Sequence, residues 1–481
     1  MTRRELLSLG ASAAGAYVMA PAIHLLGPDP YDVVILNGRV MDPESKTDRV
    51  LNVGIRNGRI ATLTKREIKG RTVIDALGQV VAPGFIDPIS HGQDLENDFL
   101  QARDGVTSKL QMEAGVPDVA AWYEANAYKR MLNYGAGTSH VQARIRALGD
   151  DVKAETKEAT DAQIYQMAEF IDRGLKAGGL GVGFGLEYQP AAGRWEVLEM
   201  FRVAGRYRVS CHVHTRYGTL LEEQSNLTAI EEVFSAAMAA GAALHVVHVP
   251  SMALGNTPKA LKLIESFQAR GFDVTCDVYP YTAFGTGIAS EVFAEGWQEK
   301  FGITYSDLEW AKTHERLTEE TFAKYREEGG FVIAHAIPAE AVRAAVASKA
   351  TMIGSDGGMK DGVGHPRSTG TFARVLGYYV REQKVLSLMA ALEKCSLRAA
   401  KRFEKVCPDF KRKGRIKIGA DADIVTFSAE KVIDKATFDK PAMPSEGIYN
   451  VLVNGRAVVL EGELQQDARP GKGLRRPVTK S

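Results

Sequence analysis

Five side chains that could bind a metal or move a proton each follow a separate short apolar run of the sequence. They are His91, Glu113, His214, His248 and Asp356. The runs before them are of strand length, so each side chain is expected at the end of a buried strand. Imidazole nitrogen and carboxylate oxygen are ligands that zinc prefers, and a carboxylate also serves as a general base. The set predicts a catalytic metal site, provided that the strand ends converge.

The strand-like runs alternate with helical stretches, and this pattern predicts a fold in which the strand ends converge. Residues 82–414 contain eight or nine apolar strand-like runs, the number depending on residues 331–335, and amphipathic stretches such as 160–177 separate them. Strands that alternate with helices indicate a parallel sheet, and this number fits a closed (β/α)8 barrel. In such barrels the chemistry gathers at the C-terminal strand ends.

The two ends of the chain have a different pattern. Residues 31–81 and 415–465 are rich in short β runs, and Asn37-Gly38, Asn57-Gly58 and Asn454-Gly455 are hairpin signals. We expect one small β-sandwich built from both ends of the chain. Residues 282–330 carry scattered aromatic and charged residues and are predicted to form a helical insertion, which is either a lid or a peripheral helix pair. The expected fold class is α/β, a distorted TIM barrel with these two additions.

The first 27 residues have the layout of an export signal. Arg3-Arg4 precedes a mild apolar run that ends in Ala20-Pro21-Ala22. The paired arginines resemble a twin-arginine signal and predict a periplasmic location; a membrane anchor and a plain helical N-terminus are the alternatives. The net charge of +1 argues against a nucleic-acid partner, and no other run is apolar enough to predict a stable membrane span. The four cysteines form no CxxC pair.

Several motifs resemble the amidohydrolase superfamily. Pro83-Gly84-Phe85-Ile86-Asp87 precedes His91, and Gly354-Ser355-Asp356-Gly357 surrounds the predicted base. Further motifs are similar to the D-aminoacylase group, namely His214-Thr215-Arg216, Asp277-Val278-Tyr279-Pro280-Tyr281 and His365-Pro366-Arg367. The resemblance covers the chain from about Tyr31 onward. It implies a zinc-dependent hydrolase that cleaves the amide bond of a small N-acyl-D-amino acid. The variant segment 111–115 suggests a separate branch acting on acidic or otherwise unusual D-amino acids.

The resemblance also assigns ligands, with two departures. The superfamily begins its site with His-x-His, whereas here the first position is Ile89 and only His91 is present. Glu113 stands where D-aminoacylases carry a cysteine ligand. The implied site is one Zn²⁺ held by Glu113, His214 and His248, with His91 as an added or weak ligand; a second ion remains open. Asp356 is implied as the general base and then general acid.

Other residues are predicted to contact the substrate. Arg216 and Arg367 are candidates for holding a carboxylate, with a structural ion pair as the alternative for each. His365 or a tyrosine hydroxyl is expected to help polarise the acyl carbonyl. The possible pocket residues are Tyr188, Tyr279 and Tyr281. His212 and His245 are interpreted as core histidines and His335 as structural.

Two other functions stay open at this stage. One is a different amide or cyclic-amide hydrolysis, similar to isoaspartyl dipeptidase or dihydroorotase, although no lysine clearly stands at a strand end to form a carbamate. The other is a non-catalytic periplasmic binding protein, which the loss of a histidine at Ile89 suggests. The sequence leaves the oligomeric state open.

Overall fold

The computed structural model describes residues 30–218 and 225–479. The predicted export signal at residues 1–27 lies outside them. Within these two ranges no helix combines the length and hydropathy that a membrane crossing requires.

Eight parallel strands form one sheet, in which each strand pairs with its neighbours in chain order. The strands are Phe85–Asp87, Val106–Val116, Asn133–Ser139, Gly181–Gly185, Ser210–His214, Ala243–Val246, Val274–Val278 and Thr351–Ile353. The first and last strands meet through Asp87, whose Oδ1 accepts the backbone N–H of Ser355 at 2.9 Å. The N–H of Asp356 donates to the Ile89 carbonyl at 2.8 Å. The sheet is thus nearly closed into a barrel, and the predicted fold class is confirmed.

Amphipathic helices cover the barrel, as the predicted helix around 160–177 illustrates. It spans Asp161–Lys176, begins with a capping box between Thr160 and Gln163, and buries one apolar stripe that includes Met167. The α-helices are Leu95–Ala102, Val119–Asn126, His140–Leu148, Asp151–Thr156, Asp161–Lys176, Arg194–Arg206, Asn226–Ala240, Val249–Ala253, Thr257–Ala269, Trp297–Phe301, Glu319–Glu328, Ala339–Ala347, Arg367–Arg374, Leu388–Leu392 and Arg398–Phe403. Two π-helical segments, Val375–Glu382 and Glu393–Leu397, continue helices on the C-terminal side.

Strands from both ends of the chain form a second, nine-stranded sheet. They are Tyr31–Asp42, Thr47–Arg56, Arg59–Thr64, Gly70–Asp75, Val80–Pro83, Ile424–Phe427, Ile448–Val453, Arg456–Leu460 and Glu463–Leu464. Val80–Pro83 joins the two ends, since it pairs with Tyr31–Asp42 on one side and Ile424–Phe427 on the other. Gly84 then leads directly into the first barrel strand. The packing of this sheet therefore fixes where the barrel begins.

The segment expected to be a helical insertion also contains strands. Phe284–Gly287 and Leu308–Trp310 both pair antiparallel with Phe331–Ala334, which therefore lies outside the barrel sheet. Three of the four residues in the central strand are buried, including Val332 and Ile333. The apolar run at 331–335 is thus the centre of a small sheet, and the helices Trp297–Phe301 and Glu319–Glu328 belong to the same segment. A further two-stranded ribbon pairs Met359–Lys360 with Val363–Gly364.

Candidate metal-dependent active site

All five predicted strand-end residues line one cavity of about 490 Å³. This volume suits a small organic molecule. Glu113 lies near the end of the second barrel strand and His214 is the last residue of the fifth. His91, His248 and Asp356 follow the first, sixth and eighth strands within a few residues. The structure therefore brings together the four predicted metal ligands and the predicted base.

Glu113 lies at the centre of the group. Its Oε1 is 3.0 Å from His214 Nδ1 and 3.3 Å from His248 Nε2, and its Oε2 is 3.3 Å from His91 Nε2. Adjacent ligands of a tetrahedral zinc ion are separated by about 3.4 Å. Candidate ligand atoms of Glu113, His214 and His248 all lie within 4.8 Å of one another, as do those of His91, Glu113 and Asp356. These separations fit a metal site.

Neighbouring groups leave a ring nitrogen of each buried histidine available to a metal. His214 Nε2–H donates to Glu187 Oε2 at 2.9 Å, which leaves Nδ1 facing Glu113. The Ser251 hydroxyl donates to the His248 carbonyl and accepts from His248 Nδ1–H, both at 2.8 Å, which leaves Nε2 facing Glu113. Such partners fix the tautomer of a ligating imidazole. Sequence reasoning missed Glu187 and Ser251, although Glu187 is a carboxylate just after a strand end.

The backbone of His248 is held in an unusual conformation. Its φ of 32° lies in the left-handed region, which non-glycine residues rarely adopt. Asp277 Oδ1 accepts the His248 backbone N–H at 2.9 Å, while its Oδ2 accepts from His245 Nε2 at 2.7 Å. The predicted core role of His245 therefore includes orienting Asp277. His212 is fully buried against the ring of Phe403.

The electrostatics of the site favour a cation. Burial opposes ionisation of Glu113, but His248, His214 and His91 hold the pKa of its carboxyl well below the ordinary value. Burial likewise opposes protonation of His91, but Asp356 and Glu113 raise its pKa to about 10. Glu113 Oε2 is buried and has no hydrogen-bond partner among the described residues. Neighbouring carboxylates also raise the pKa of His214, so without a metal the protons on His91 and His214 offset the carboxylate charge, and a metal ion would replace these protons.

Arg367 lies beside Asp356 on the cavity wall. Its Nη1 is 2.9 Å from Asp356 Oδ2, Nη2–H donates to the Gly285 carbonyl, and its guanidinium stacks over Tyr279 at 4.7 Å. Burial raises the pKa of the Asp356 carboxyl, but the charge of Arg367 opposes this effect more than any other group, and the pKa is lowered overall. Arg367 Nε and the Tyr279 hydroxyl are buried without hydrogen-bond partners in the described structure. Unused donors beside a cavity favour an anionic ligand there.

His365 lines the cavity, but both its ring nitrogens are engaged. Nδ1 accepts the Arg367 backbone N–H at 3.0 Å and Nε2–H donates to the Ala283 carbonyl at 3.1 Å. Burial, assisted by the charge of Arg367, holds the pKa of His365 well below its ordinary value. The expected help in polarising a carbonyl is therefore corrected: neutral His365 orients Arg367 instead.

The other predicted substrate contacts divide between the cavity and the outer wall. Tyr188 lines the cavity, packs against His214 and shares a 3.0 Å hydrogen bond with Thr286. Tyr281 and Arg216 are not among the described residues that line it. Tyr281 lies behind His365 and its hydroxyl donates to Asp434.

Arg216 is therefore corrected to a structural ion pair. Its Nη2 and Nε both reach the Glu232 carboxylate, at 2.9 and 3.1 Å. Lys109 is also engaged structurally, since its Nζ is fully buried, 2.8 Å from Asp98 and 2.6 Å from the Gly92 carbonyl. Neither Arg216 nor Lys109 is among the described residues that line the catalytic cavity.

A nearly closed barrel with two histidines and a glutamate converging at its strand ends defines a metal-dependent hydrolase of the amidohydrolase type. The sequence match agrees with this class: the model of the amidohydrolase family matches residues 72–459. The chain belongs to the amidohydrolase family.

Three similar proteins narrow the comparison. An N-acyl-D-glutamate deacylase from Alcaligenes xylosoxydans xylosoxydans is 30% identical over 92% of this chain and 96% of its own length. A D-aminoacylase from the same organism is 29% identical over 89% of this chain and 94% of its own length. A crystal structure of N-acyl-D-glutamate deacylase from Bordetella bronchiseptica, complexed with zinc and a phosphonate mimic of the tetrahedral intermediate, matches with a TM-score of 0.80. It is 28% identical and the match covers 93% of this chain and all of that one.

Proposed function

We propose that this protein hydrolyses the amide bond of N-acyl-D-amino acids, giving a carboxylate and a D-amino acid. The observation that carries the proposal is the pairing of two features in one cavity. Glu113, His214 and His248 offer candidate ligand atoms within 4.8 Å of one another, and Arg367 with Tyr279 forms a cationic, hydrogen-bonding wall of the same cavity. A substrate with a hydrolysable amide next to a carboxylate needs both. The D configuration rests on the likeness to the relatives.

Different residues act on the amide group and on the carboxylate of the substrate. A zinc ion held by Glu113, His214 and His248 would supply Lewis-acid activation of water and of the acyl carbonyl. Arg367 and Tyr279 bind the substrate carboxylate and thereby fix the amide relative to Asp356. Because Arg367 also keeps Asp356 ionised, Asp356 accepts a proton from water and returns it to the leaving nitrogen.

We propose that one ion is sufficient. The three proposed ligands are all buried, namely Glu113, His214 and His248. Each of the two imidazoles has a partner that fixes its tautomer. On the other side, Ile89 occupies the position of the missing histidine and is fully buried. His91 and Asp356 instead contact each other at 2.9 Å.

We propose further that the substrate side chain is uncharged, in place of the acidic one that the variant segment 111–115 suggests from sequence. Arg367 is the sole lysine or arginine among the described residues that line the cavity, and it already faces Asp356 and the proposed position of the substrate carboxylate. The undescribed residues 219–224 contain no lysine or arginine either. The insertion contributes an apolar wall of Phe284, Val292, Phe301 and Phe331. An acidic side chain would lie against this wall without a counter-ion, which is costly.

A substrate panel tests the proposed reaction and the proposed side-chain preference. The zinc-loaded protein is assayed with N-acetyl derivatives of D-leucine, D-phenylalanine, D-glutamate and D-aspartate, with N-acetyl-L-leucine as the control for configuration. We expect kcat/KM for the apolar D substrates to exceed that for the acidic ones by about 10²-fold or more, since an unpaired polar group is discriminated strongly. Preference for the glutamate derivative would overturn the side-chain proposal alone.

The same panel separates the remaining functions. Hydrolysis of dihydroorotate or a hydantoin, with no turnover of any N-acetyl amino acid, would favour a cyclic-amide hydrolase. Zinc binding and ligand binding without turnover of either group would favour a binding protein. The engaged amine of Lys109 supports the linear-amide proposal, because that lysine is held by Asp98 and a carbonyl.

We also propose export to the periplasm by the twin-arginine route. The support is Arg3-Arg4 before a mild apolar run, all within residues outside the structural description. Replacing Arg3 and Arg4 with lysine keeps the charge but removes the paired guanidinium groups. We expect the double variant to accumulate in the cytoplasm, measured by cell fractionation. An unchanged location would contradict the proposal.

A further inference from the structure

A second group of metal-type donors lies in the insertion, outside the residues that line the catalytic cavity. Candidate ligand atoms of Glu309, His314 and Asp439 lie within 4.8 Å of one another. Glu309 is the middle residue of the strand Leu308–Trp310, His314 lies in the turn after it, and Asp439 comes from a segment more than a hundred residues later. The group therefore joins the insertion to a distant part of the chain.

The geometry of Glu309 suits a metal ligand. Its Oε1 is 3.4 Å from His314 Nδ1, which matches the separation of about 3.4 Å between two ligands of a tetrahedral zinc ion. Its Oε2 accepts a hydrogen bond from His335 Nε2 at 2.9 Å. Ligating carboxylates are commonly held by such outer hydrogen bonds. His335, which was predicted to be structural, thus orients the carboxylate.

The charge around Glu309 is poorly balanced. Its side chain is only 5% exposed, and a buried carboxylate is costly unless it is paired. Arg316 is its one lysine or arginine partner among the described ion pairs, and the half-exposed guanidinium is 3.8 Å away. Asp439 adds a further carboxylate.

The turn that carries His314 is strained in a way that favours this contact. His314 has a φ of 63°, in the left-handed region, and its N–H donates to the Trp310 carbonyl at 2.8 Å. This conformation is uncommon for a residue other than glycine. The turn brings His314 Nδ1 back to the buried carboxylate of Glu309.

We propose that Glu309, His314 and Asp439 bind one divalent cation of the zinc class, distinct from the catalytic ion, with water completing its coordination. A histidine with two carboxylates favours Zn²⁺ over the harder Mg²⁺ and Ca²⁺. The ion would cross-link the insertion sheet to the segment around Asp439. Phe438 in that segment packs edge-on against both His335 and His365, at 4.7 and 5.1 Å. Because His365 lines the catalytic cavity, this cation stabilises the cavity wall from behind.

Zinc content measured by equilibrium dialysis and elemental analysis tests the site. The wild type, His314→Ala and Asp439→Asn are compared at the same free zinc concentration. Asp467→Asn, which removes a carboxylate from an exposed position in another part of the chain, is the matched control. We expect the wild type and the control to bind one zinc ion per chain more than the two cluster variants. Equal zinc content in all four proteins would overturn the proposal.

The Glu113→Gln background separates the two metal sites. In that background the catalytic ion is lost, so any ion retained belongs to another site. We expect added zinc to raise its melting temperature, and His314→Ala or Asp439→Asn to abolish this rise. Asp439 is exposed, so its substitution keeps the test available if His314→Ala fails to fold. A zinc-induced rise that survives both substitutions would contradict the assignment.

Discussion

The two oxygens of the Glu113 carboxylate face very different surroundings. Oε1 meets His214 and His248, which are buried and are oriented by Glu187 and Ser251. Oε2 faces His91, whose side chain is 33% exposed, and has no hydrogen-bond partner among the described residues. On the Oε1 side, both proposed histidine ligands are oriented by a neighbouring side chain. On the Oε2 side, His91 is the one histidine among the described residues.

The difference between the two oxygens supports the proposal that a metal ion and a general base lie on opposite sides of the Glu113 carboxylate. On the Oε2 side, Asp356 contacts His91 and Arg367 and remains ionised, so it is available for proton transfer. A second metal bound there would use the same oxygens of Asp356 as ligands. The asymmetry around Glu113 therefore supports the proposal of one metal ion with Asp356 as the carboxylate base. Substitutions on either side should have different consequences.

The largest effect is expected for Glu113→Gln, which alters both sides at once. The amide keeps the shape of the carboxylate but removes the charge that attracts the metal. We expect the catalytic zinc to be lost, and kcat/KM to fall by more than about 10⁴-fold, beyond the range for loss of a general base. Elemental analysis with the N-acetyl-D-leucine assay measures both. Full zinc occupancy with high activity would remove Glu113 from the centre of the site.

Asp356→Asn should separate chemistry from metal binding. The substitution keeps the contact with His91 but removes the proton acceptor, so kcat should fall by about 10²–10⁴-fold. Zinc bound by Glu113, His214 and His248 should remain, because Asp356 belongs to the other side. Loss of zinc together with activity would instead make Asp356 a metal ligand.

Much of the fold and of the candidate site could be predicted from local patterns. Apolar runs identify strands, and a histidine or carboxylate just after such a run lies where parallel strands gather their ends, as His214 and Asp356 do. In the terminal sheet the Asn57-Gly58 and Asn454-Gly455 signals do turn the chain between paired strands, whereas Asn37-Gly38 lies at an irregularity inside the strand Tyr31–Asp42 and is not the expected hairpin turn. The run at 331–335 could not be assigned, since its period is the same whether it pairs in the barrel or in the insertion sheet.

The supporting residues were harder to predict, because their partners are distant in the chain. Glu187 meets His214 27 residues away, and Asp277 meets the backbone of His248 29 residues away. Arg216 and Arg367 each follow a histidine motif, so the motifs alone do not distinguish them. Only the packing shows that Arg216 pairs with Glu232 whereas Arg367 reaches Asp356. The candidate reactive residues at strand ends can be identified from local sequence, whereas the orientation of their side chains depends on tertiary contacts.

Glu187→Gln tests the orientation of the Oε1 side with a smaller effect. The amide oxygen can still accept from His214 Nε2–H, but the charge that strengthens this hydrogen bond is lost. Removing such an outer partner typically weakens metal affinity by about 10–100-fold. Competition with a zinc chelator measures this affinity. Glu199→Gln, which changes a partly exposed carboxylate paired with Arg202 on the helix Arg194–Arg206, is the control and should leave zinc affinity unchanged.

Ile89→His, the mildest change, would restore a histidine on the incomplete side of Glu113. Ile89 is fully buried and packs in an apolar cluster with Leu110 and Met112. Introducing an imidazole there costs stability unless a metal uses it, since a buried polar group needs a partner. We therefore expect the variant to be less stable without zinc and to bind a second zinc ion when zinc is added. Elemental analysis and a zinc-dependent melting temperature measure this, with Ile89→Val as the control. Because a second ion would engage Asp356, binding of that ion should lower activity. Higher activity would show that Asp356 can act as the base while a second metal ion is bound beside Glu113 Oε2.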